Sequence, residues 1–154
     1  MALEKVERTV EVGASVEQAW ATVTNIELLT SWIGIVHSVE EKSRLDTYAA
    51  VLEDRVGPFK MRADLTAGVT VIEDGRTIAV TAAGRDRAMD SKIAIDARLD
   101  LTEMAPSRCA IHVSGSYQVT GRVASMGGGI IRKKGDRVVN DFFTRAVGHL
   151  SLDN

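Results

Sequence analysis

The feature that most constrains the fold is the C-terminal stretch, residues 121–152. Its apolar residues recur at steps of three, four and seven, which places them on one wide stripe of an α-helix. A helix over residues 125–152 would extend roughly 40 Å at about 1.5 Å per residue. So long an amphipathic helix requires an equally long apolar surface beneath it.

The rest of the chain predicts a sheet that supplies this surface. Residues 3–12 alternate apolar and polar side chains, as a half-buried strand does. Ser15 is placed to cap a short helix that continues to Val23, and a second short helix is predicted over residues 25–32. Six runs of period two follow, separated by turn-forming residues: 35–42, 47–56, 59–73, 76–85, 91–101 and 108–120.

This order of elements predicts an α+β fold. One strand, two short helices, six strands and a long helix, with short connections, favour a sequentially paired antiparallel sheet of about seven strands. Such a sheet curves, and the long helix can cover its concave side because both present apolar faces. We therefore expect one domain over residues 1–154, with the helix lying across an apolar interior.

Composition excludes several classes of protein. The 154 residues are 45% hydrophobic and 26% charged, as in an ordinary soluble domain, and the formal net charge of -2 does not suit a nucleic-acid-binding protein. Cys109 is the sole cysteine, which rules out an internal disulfide, and we expect it in the core. No apolar run approaches the ~18 residues of a membrane span. We expect a cytoplasmic protein.

The sequence shows no catalytic or metal-binding pattern. The three histidines, His37, His112 and His149, lie in different predicted elements without the spacing of metal ligands. Four carboxylates that could serve as acids or bases are expected at outward or loop positions: Asp86, Asp90, Asp96 and Asp100. We predict no metal, no cofactor and no catalytic residue.

Four short motifs carry a resemblance to known proteins. They are Val-Glu-Gln-Ala-Trp at 16–20, Val-Gly-Pro-Phe-Lys at 56–60, Ser-Gly-Ser-Tyr-Gln-Val-Thr-Gly-Arg-Val-Ala-Ser-Met-Gly at 114–127, and Asn-Asp-Phe-Phe at 140–143. The chain resembles the helix-grip (SRPBCC) superfamily of START-like and polyketide cyclase-like proteins, and within it the carbon monoxide dehydrogenase G-subunit family. The chain departs from the family pattern in two places. Residues 32–35 read Trp-Ile-Gly-Ile where the family often has an Ile-Pro-Gly turn. The given sequence ends at Asn154, whereas many members carry a C-terminal extension thought to reach the membrane. Membrane anchoring therefore stays open.

The resemblance implies a curved sheet that grips a helix around an elongated apolar cavity. It also implies a non-catalytic accessory protein that carries a quinone or lipid and serves a membrane-linked molybdenum hydroxylase such as carbon monoxide dehydrogenase. Such a protein would work in the cytoplasm or at the inner face of the cell membrane. Two alternatives stay open: a polyketide cyclase/dehydratase-like enzyme, and a docking subunit without a ligand.

The strand faces and the terminal helix predict which residues would contact an apolar ligand. Small inward residues, namely Ala63, Ala67, Ala97 and Gly115, leave room for one unless the core is close-packed. Trp32 is expected to form an exposed apolar lip of the cavity or to contact a partner. The predicted ligand-binding residues are Trp32, Met61, Leu65, Ile95, Leu99, Tyr117, Met126, Ile130 and Phe142.

The glycines before the long helix predict a hinge at the cavity mouth. Gly127, Gly128 and Gly129 weaken the first helical turns, because glycine costs about 1 kcal/mol relative to alanine there, and they lack the Lys-Ser/Thr ending of a nucleotide loop. The alternative is a close contact between helix and sheet that requires glycine. The basic residues that follow are predicted to contact lipid head groups or an acidic partner. They are Arg132, Lys133, Lys134 and Arg137.

Overall fold

The structure is a computed structural model that describes residues 2–56, 58–126 and 128–151. Within these residues the chain forms seven β-strands, three α-helices and one 3-10 helix. In chain order they are β1 (Ala2–Val12), α1 (Val16–Val23), α2 (Ile26–Ser31), β2 (Val36–Ser43), β3 (Thr47–Val56), β4 (Phe59–Glu73), β5 (Thr77–Asp86), β6 (Ser91–Ala105), β7 (Arg108–Gly121), the 3-10 helix (Ala124–Met126) and α3 (Gly128–Leu150). The α+β prediction is confirmed, and β3 and β4 have the predicted bounds.

The two short helices are started by side chains close to them in sequence. Ser15 Oγ accepts a hydrogen bond from Gln18 N at 3.1 Å, and Ser15 N donates to Gln18 Oε1 at 3.0 Å. Asn25 Oδ1 accepts from Leu28 N at 3.2 Å. Each bond satisfies an amide that the first turn leaves without a partner, so both helices begin where the sequence indicates.

The strands form one antiparallel sheet in the order β1-β7-β6-β5-β4-β3-β2. Strands β2 to β7 pair sequentially, as predicted. Strand β1 instead lies beside β7, with Val10 opposite Ile111. The two helices that follow β1 carry the chain across to the far edge, so β2 begins there.

Two glycines on the inner face show how sharply the sheet curves. A Cβ atom at Gly84 would lie 1.8 Å from the carbonyl oxygen of Asp64, and one at Gly115 would lie 2.1 Å from that of Asp96. Neighbouring strands therefore cross these positions too closely for any side chain. The glycines permit the strong coiling that makes the inner face concave.

Helix α3 lies across this concave face, and among the strands its backbone approaches β1 and β3 most closely. Two separate sets of buried residues form the core. The helix-side cluster joins α1, α2 and the C-terminal half of α3 to the sheet, and it includes Ile78, Ile111 and Phe143. The turn-side cluster includes Leu52 and Ile131 and lies toward the segments that precede β6 and α3. The fold is thus packed at both ends of the helix.

Three further expectations from the sequence can be compared with the structure. Cys109 is fully buried, as predicted. The long helix begins at Gly128 rather than at residue 125, because a 3-10 helix precedes it. Asp86, expected at an outward or loop position, is buried at the end of β5, where its carboxylate accepts hydrogen bonds from the backbone amides of Arg62 at 2.8 Å and Met89 at 3.1 Å.

Candidate ligand-binding site

Between the two clusters, inward-facing apolar residues of the sheet and of α3 are only partly buried. We call this set the central band. Its members are Ala67, Val80, Ala82, Ile95, Ala97, Val113, Gly115 and Tyr117 from the sheet, and Val138, Val139 and Phe142 from the helix. The middle of a sheet under a helix is normally close-packed, so residual exposure there indicates unfilled space. The central band is the candidate site.

Strand register explains why the space lies at this level. One row of paired residues crosses the sheet from Ala67 to Ala82, then to Ile95 and Tyr117. The next row pairs Val80 with Ala97, and Ala97 with Gly115. Alanine and glycine contribute little volume, which accounts for the partial exposure of the side chains at this level. The predictions that Ala67, Ala97 and Gly115 leave room agree with this placement, whereas Ala63 is fully buried in the turn-side cluster.

Tyr117 is the one side chain of the central band that titrates. Burial raises the pKa of its hydroxyl, the carboxylates of Glu4 and Asp136 raise it further, and the Arg132 guanidinium lowers it. Its ring extends from β7 to the backbone of α3. Within the described part of the chain, no hydrogen bond to its hydroxyl is present.

A group of aromatic rings borders the central band where it meets the helix-side cluster. The ring centroids of Trp32 and Phe142 are 5.8 Å apart, and those of Phe142 and Phe143 are 5.3 Å apart. Trp32 also lies 5.6 Å from the ring of His149, and only 5% of its surface is exposed. Trp32 is therefore a core residue, not an exposed lip, because α3 packs over it.

The basic residues of α3 differ in their surroundings. Arg132 Nε lies 3.6 Å from Glu4 Oε1 on β1, and Lys134 Nζ lies 2.7 Å from Asp54 Oδ2 on β3. Both pairs join the helix to opposite sides of the curved sheet. Lys133 and Arg137 are exposed. A role of these four residues in membrane or partner contact stays a prediction.

Only part of the predicted glycine hinge lies within the described residues. Gly127 lies outside the described residues, as does the side chain of Met126 at the end of the 3-10 helix. Gly128 starts α3, and a Cβ atom at Gly129 would meet nothing within 4 Å. No close contact therefore requires glycine at position 129.

The predicted ligand-binding residues divide between the band and its flanks. Ile95, Tyr117 and Phe142 belong to the central band. Met61 and Leu65 lie in the turn-side cluster, Trp32 and Leu99 lie in the helix-side cluster, and Ile130 is 40% exposed in the first turn of α3. The central band also contains Val80, Ala82, Val113, Val138 and Val139, which the sequence analysis did not name as candidate ligand contacts. The alternation of β5 through Ile78, Val80 and Ala82 would have indicated two of them.

Among the described residues, the charged side chains of the inner face stand at its borders and not in its middle. Glu4 and Arg8 face inward from β1, and Asp54 faces inward from β3. In the ranges that the structure describes, no group of three or more His, Cys, Asp and Glu residues is placed to hold a metal. The site can therefore surround an apolar molecule, with Tyr117 as its neutral polar group.

Two grooves lie on the outer side of the sheet. One, of about 600 Å³, is next to the turn between β4 and β5 and is lined by Thr77, Arg98 and Asp100. The other, of about 490 Å³, is lined by Ala83, Lys92 and Gln118. Neither groove reaches the space between the sheet and α3.

Comparison of the chain with models of protein families gives a match. A family model for the G subunit of carbon monoxide dehydrogenase (CoxG) matches residues 9–149. The chain belongs to the CoxG family. The CoxG match spans every motif on which the resemblance rested. Comparison with curated proteins returns no match.

Several solved structures are similar in fold to this CoxG-family chain. A conserved protein from Geobacillus kaustophilus is similar at 20% identity and a TM-score of 0.82, over 96% of this chain and 95% of that one. A START superfamily protein from Mycobacterium smegmatis shares 14% identity at a TM-score of 0.70, over 95% and 96% of the two chains. The Zhui aromatase/cyclase from Streptomyces sp. R1128 shares 12% identity at a TM-score of 0.62, over 95% and 94%. At these identities the likeness shows a shared fold. The predicted helix-grip architecture is confirmed.

No helix in the described ranges of this chain has the length and hydropathy to cross a membrane.

Proposed function

We propose that this chain is a non-catalytic carrier that holds one elongated apolar molecule, a quinone or lipid, between the concave face of the sheet and α3. The observation that carries the proposal is the central band, whose inward aliphatic residues stay partly exposed between two buried clusters. Each methylene that a ligand buries there contributes about 0.8 kcal/mol, so a long hydrocarbon chain is held without a strong polar anchor.

The family suggests a partner enzyme and a cellular location for this carrier. CoxG is named for carbon monoxide dehydrogenase, so we propose a molybdenum-containing dehydrogenase of that kind as the partner enzyme. In this proposal the protein works in the cytoplasm and contacts the inner face of the cell membrane peripherally, where quinones and lipids reside. Lys133 and Arg137, both exposed on α3, are available to anionic head groups or to an acidic partner.

Native mass spectrometry with organic extraction tests the proposal. We expect protein purified from its own host to carry one quinone or lipid per chain. A chemically altered product in the extract would instead favour the cyclase-like enzyme. If nothing copurifies, and neither decylubiquinone nor the fluorescent probe N-phenyl-1-naphthylamine binds, a docking subunit with a filled core becomes the better description.

Two adjacent alanines provide a matched pair of variants. Ala82 faces the central band and Ala83 faces the outer side of the sheet, one residue further along β5. We expect Ala82→Phe to fill the band and weaken binding of N-phenyl-1-naphthylamine at least tenfold, the factor for about 1.4 kcal/mol. Ala83→Phe adds the same group and should leave affinity unchanged. Equal effects of the two variants would contradict binding in the central band.

A further inference from the structure

The two halves of α3 are attached to the protein differently. In the C-terminal half, Phe143 and Ala146 are almost fully buried, and Arg145 Nη1 donates a hydrogen bond to the carbonyl oxygen of Ser31 at 3.0 Å. In the N-terminal half, Ile131 is the one buried side chain among residues 129–137. Apolar burial therefore fixes the second half of the helix and holds the first half only weakly.

The first half is held to β3 by an ion pair next to the interior. Lys134 Nζ lies 2.7 Å from Asp54 Oδ2, and the two side chains are 28% and 26% exposed. Asp54 faces inward, since it pairs with Met61 and comes two residues after Leu52 on the same strand. The pair thus spans the border between helix and sheet beside the turn-side cluster. The pair on the other side, Arg132 with Glu4, is longer at 3.6 Å, and its arginine is 61% exposed.

Glycines weaken the same half of the helix. Gly129 has open space where a Cβ would be, so packing does not require glycine there. Gly135 has no side chain with which to attach the helix, and its neighbour is the tip of the Tyr117 ring. Glycine in a helix costs backbone entropy, so this segment opens more readily than residues 138–150.

We infer that residues 128–135 form a lid at the turn-side end of the central band and that the Lys134–Asp54 ion pair is the latch that holds it against β3. This inference rests on the proposed function, because the lid would control entry to the same ligand site. Opening of the lid would separate Ile131 from the turn-side cluster while the C-terminal half of α3 stays in place.

Hydrogen exchange followed by mass spectrometry tests the latch without any ligand. Asp54→Asn removes the charge of the latch. Glu53→Gln is the matched control, since Glu53 is the adjacent residue and its Oε2 is 2.7 Å from Arg62 Nη1 on the outer face. We expect amides of residues 130–135 to exchange about fivefold faster in Asp54→Asn and Lys134→Met, with no change over residues 140–150 and none in Glu53→Gln. Unchanged exchange in both latch variants, each shown to be folded by circular dichroism, would overturn the inference.

Stopped-flow fluorescence with N-phenyl-1-naphthylamine tests whether the lid controls entry. We expect Asp54→Asn to raise the association and dissociation rates together, each about fivefold, and to leave Kd within about twofold, because the latch acts on the path and not on the bound state. Faster hydrogen exchange with unchanged probe rates would show that the segment is not a lid. If the probe does not bind the wild-type protein, the proposed function fails, while hydrogen exchange still decides whether the ion pair holds the helix.

Discussion

The hydroxyl of Tyr117 lies against the backbone of α3 at Gly135, where a Cβ atom would be only 2.0 Å from Tyr117 Oη. The ring reaches from the sheet to the helix, and glycine is what lets the two meet. Tyr117 therefore acts as a spacer that sets the height of the helix above the central band.

Gly135→Ala tests this spacer through a double-mutant cycle with Tyr117→Leu. In the wild-type background we expect the variant to lower the free energy of unfolding by about 1 kcal/mol, because the overpacking cost outweighs the gain in helix propensity. In the Tyr117→Leu background the obstacle is gone, and the same change should stabilise by up to about 1 kcal/mol. Urea denaturation measures both. An equal effect in the two backgrounds would show that the ring and the helix do not constrain each other.

Gly129→Ala should stabilise the protein by about 1 kcal/mol. Position 129 is helical and exposed, and the added methyl group meets nothing within 4 Å, so only the gain in helix propensity operates. Thermal or urea unfolding checks the sign, and Gly135→Ala is the contrasting variant on the same helix. A loss of stability would mean that residue 129 needs a conformation that alanine does not adopt.

Asp86→Ala should lower the free energy of unfolding by about 2–4 kcal/mol. The buried carboxylate accepts hydrogen bonds from two backbone amides, and its removal leaves both without a partner. Asp64→Ala, on an exposed residue of the neighbouring strand, is the control and should change stability by less than about 0.5 kcal/mol. Urea denaturation compares the two variants, and similar losses would remove the special role of Asp86.

The lowered pKa of Asp100 leads us to expect that the stability of the protein depends on pH. Burial alone would raise the pKa of its carboxyl, but hydrogen bonds from Arg98 and Thr77 and the nearby positive charges outweigh burial and hold the pKa below its ordinary value. A group whose pKa is lower in the folded state stabilises the protein fully at pH values above its unfolded pKa, which is about 3.9 for aspartate. That contribution is lost as the pH falls through the folded pKa.

Comparison of wild type with Asp100→Asn across pH measures this contribution. We expect the wild type to be more stable at pH 7, and the difference between the two proteins to shrink below about pH 4. Urea denaturation at a series of pH values gives the difference directly. A difference that stays constant from pH 7 to pH 3 would show that the charge of Asp100 does not contribute.

The sequence by itself determined the elements and their inward faces. Strand alternation predicted β3 and β4 to the residue, the Ser15 cap located α1, and the second helix was predicted to within one residue at each end, because these patterns depend on neighbours a few positions away. The family resemblance, carried by four short motifs, was likewise confirmed. The inward faces of the long strands predicted Ile95 and Tyr117 as ligand contacts, and both residues lie in the candidate site.

The tertiary structure alone decided which elements meet and how closely. The pairing of β1 with β7, the burial of Trp32 and the ion pair of Lys134 with Asp54 join residues far apart in the sequence. The partial exposure of the central band likewise depends on the distance between helix and sheet, to which Tyr117 and the close strand crossings at Gly84 and Gly115 contribute. Periodicity reports the direction in which a side chain points, but the space left in front of it depends on the opposing surface.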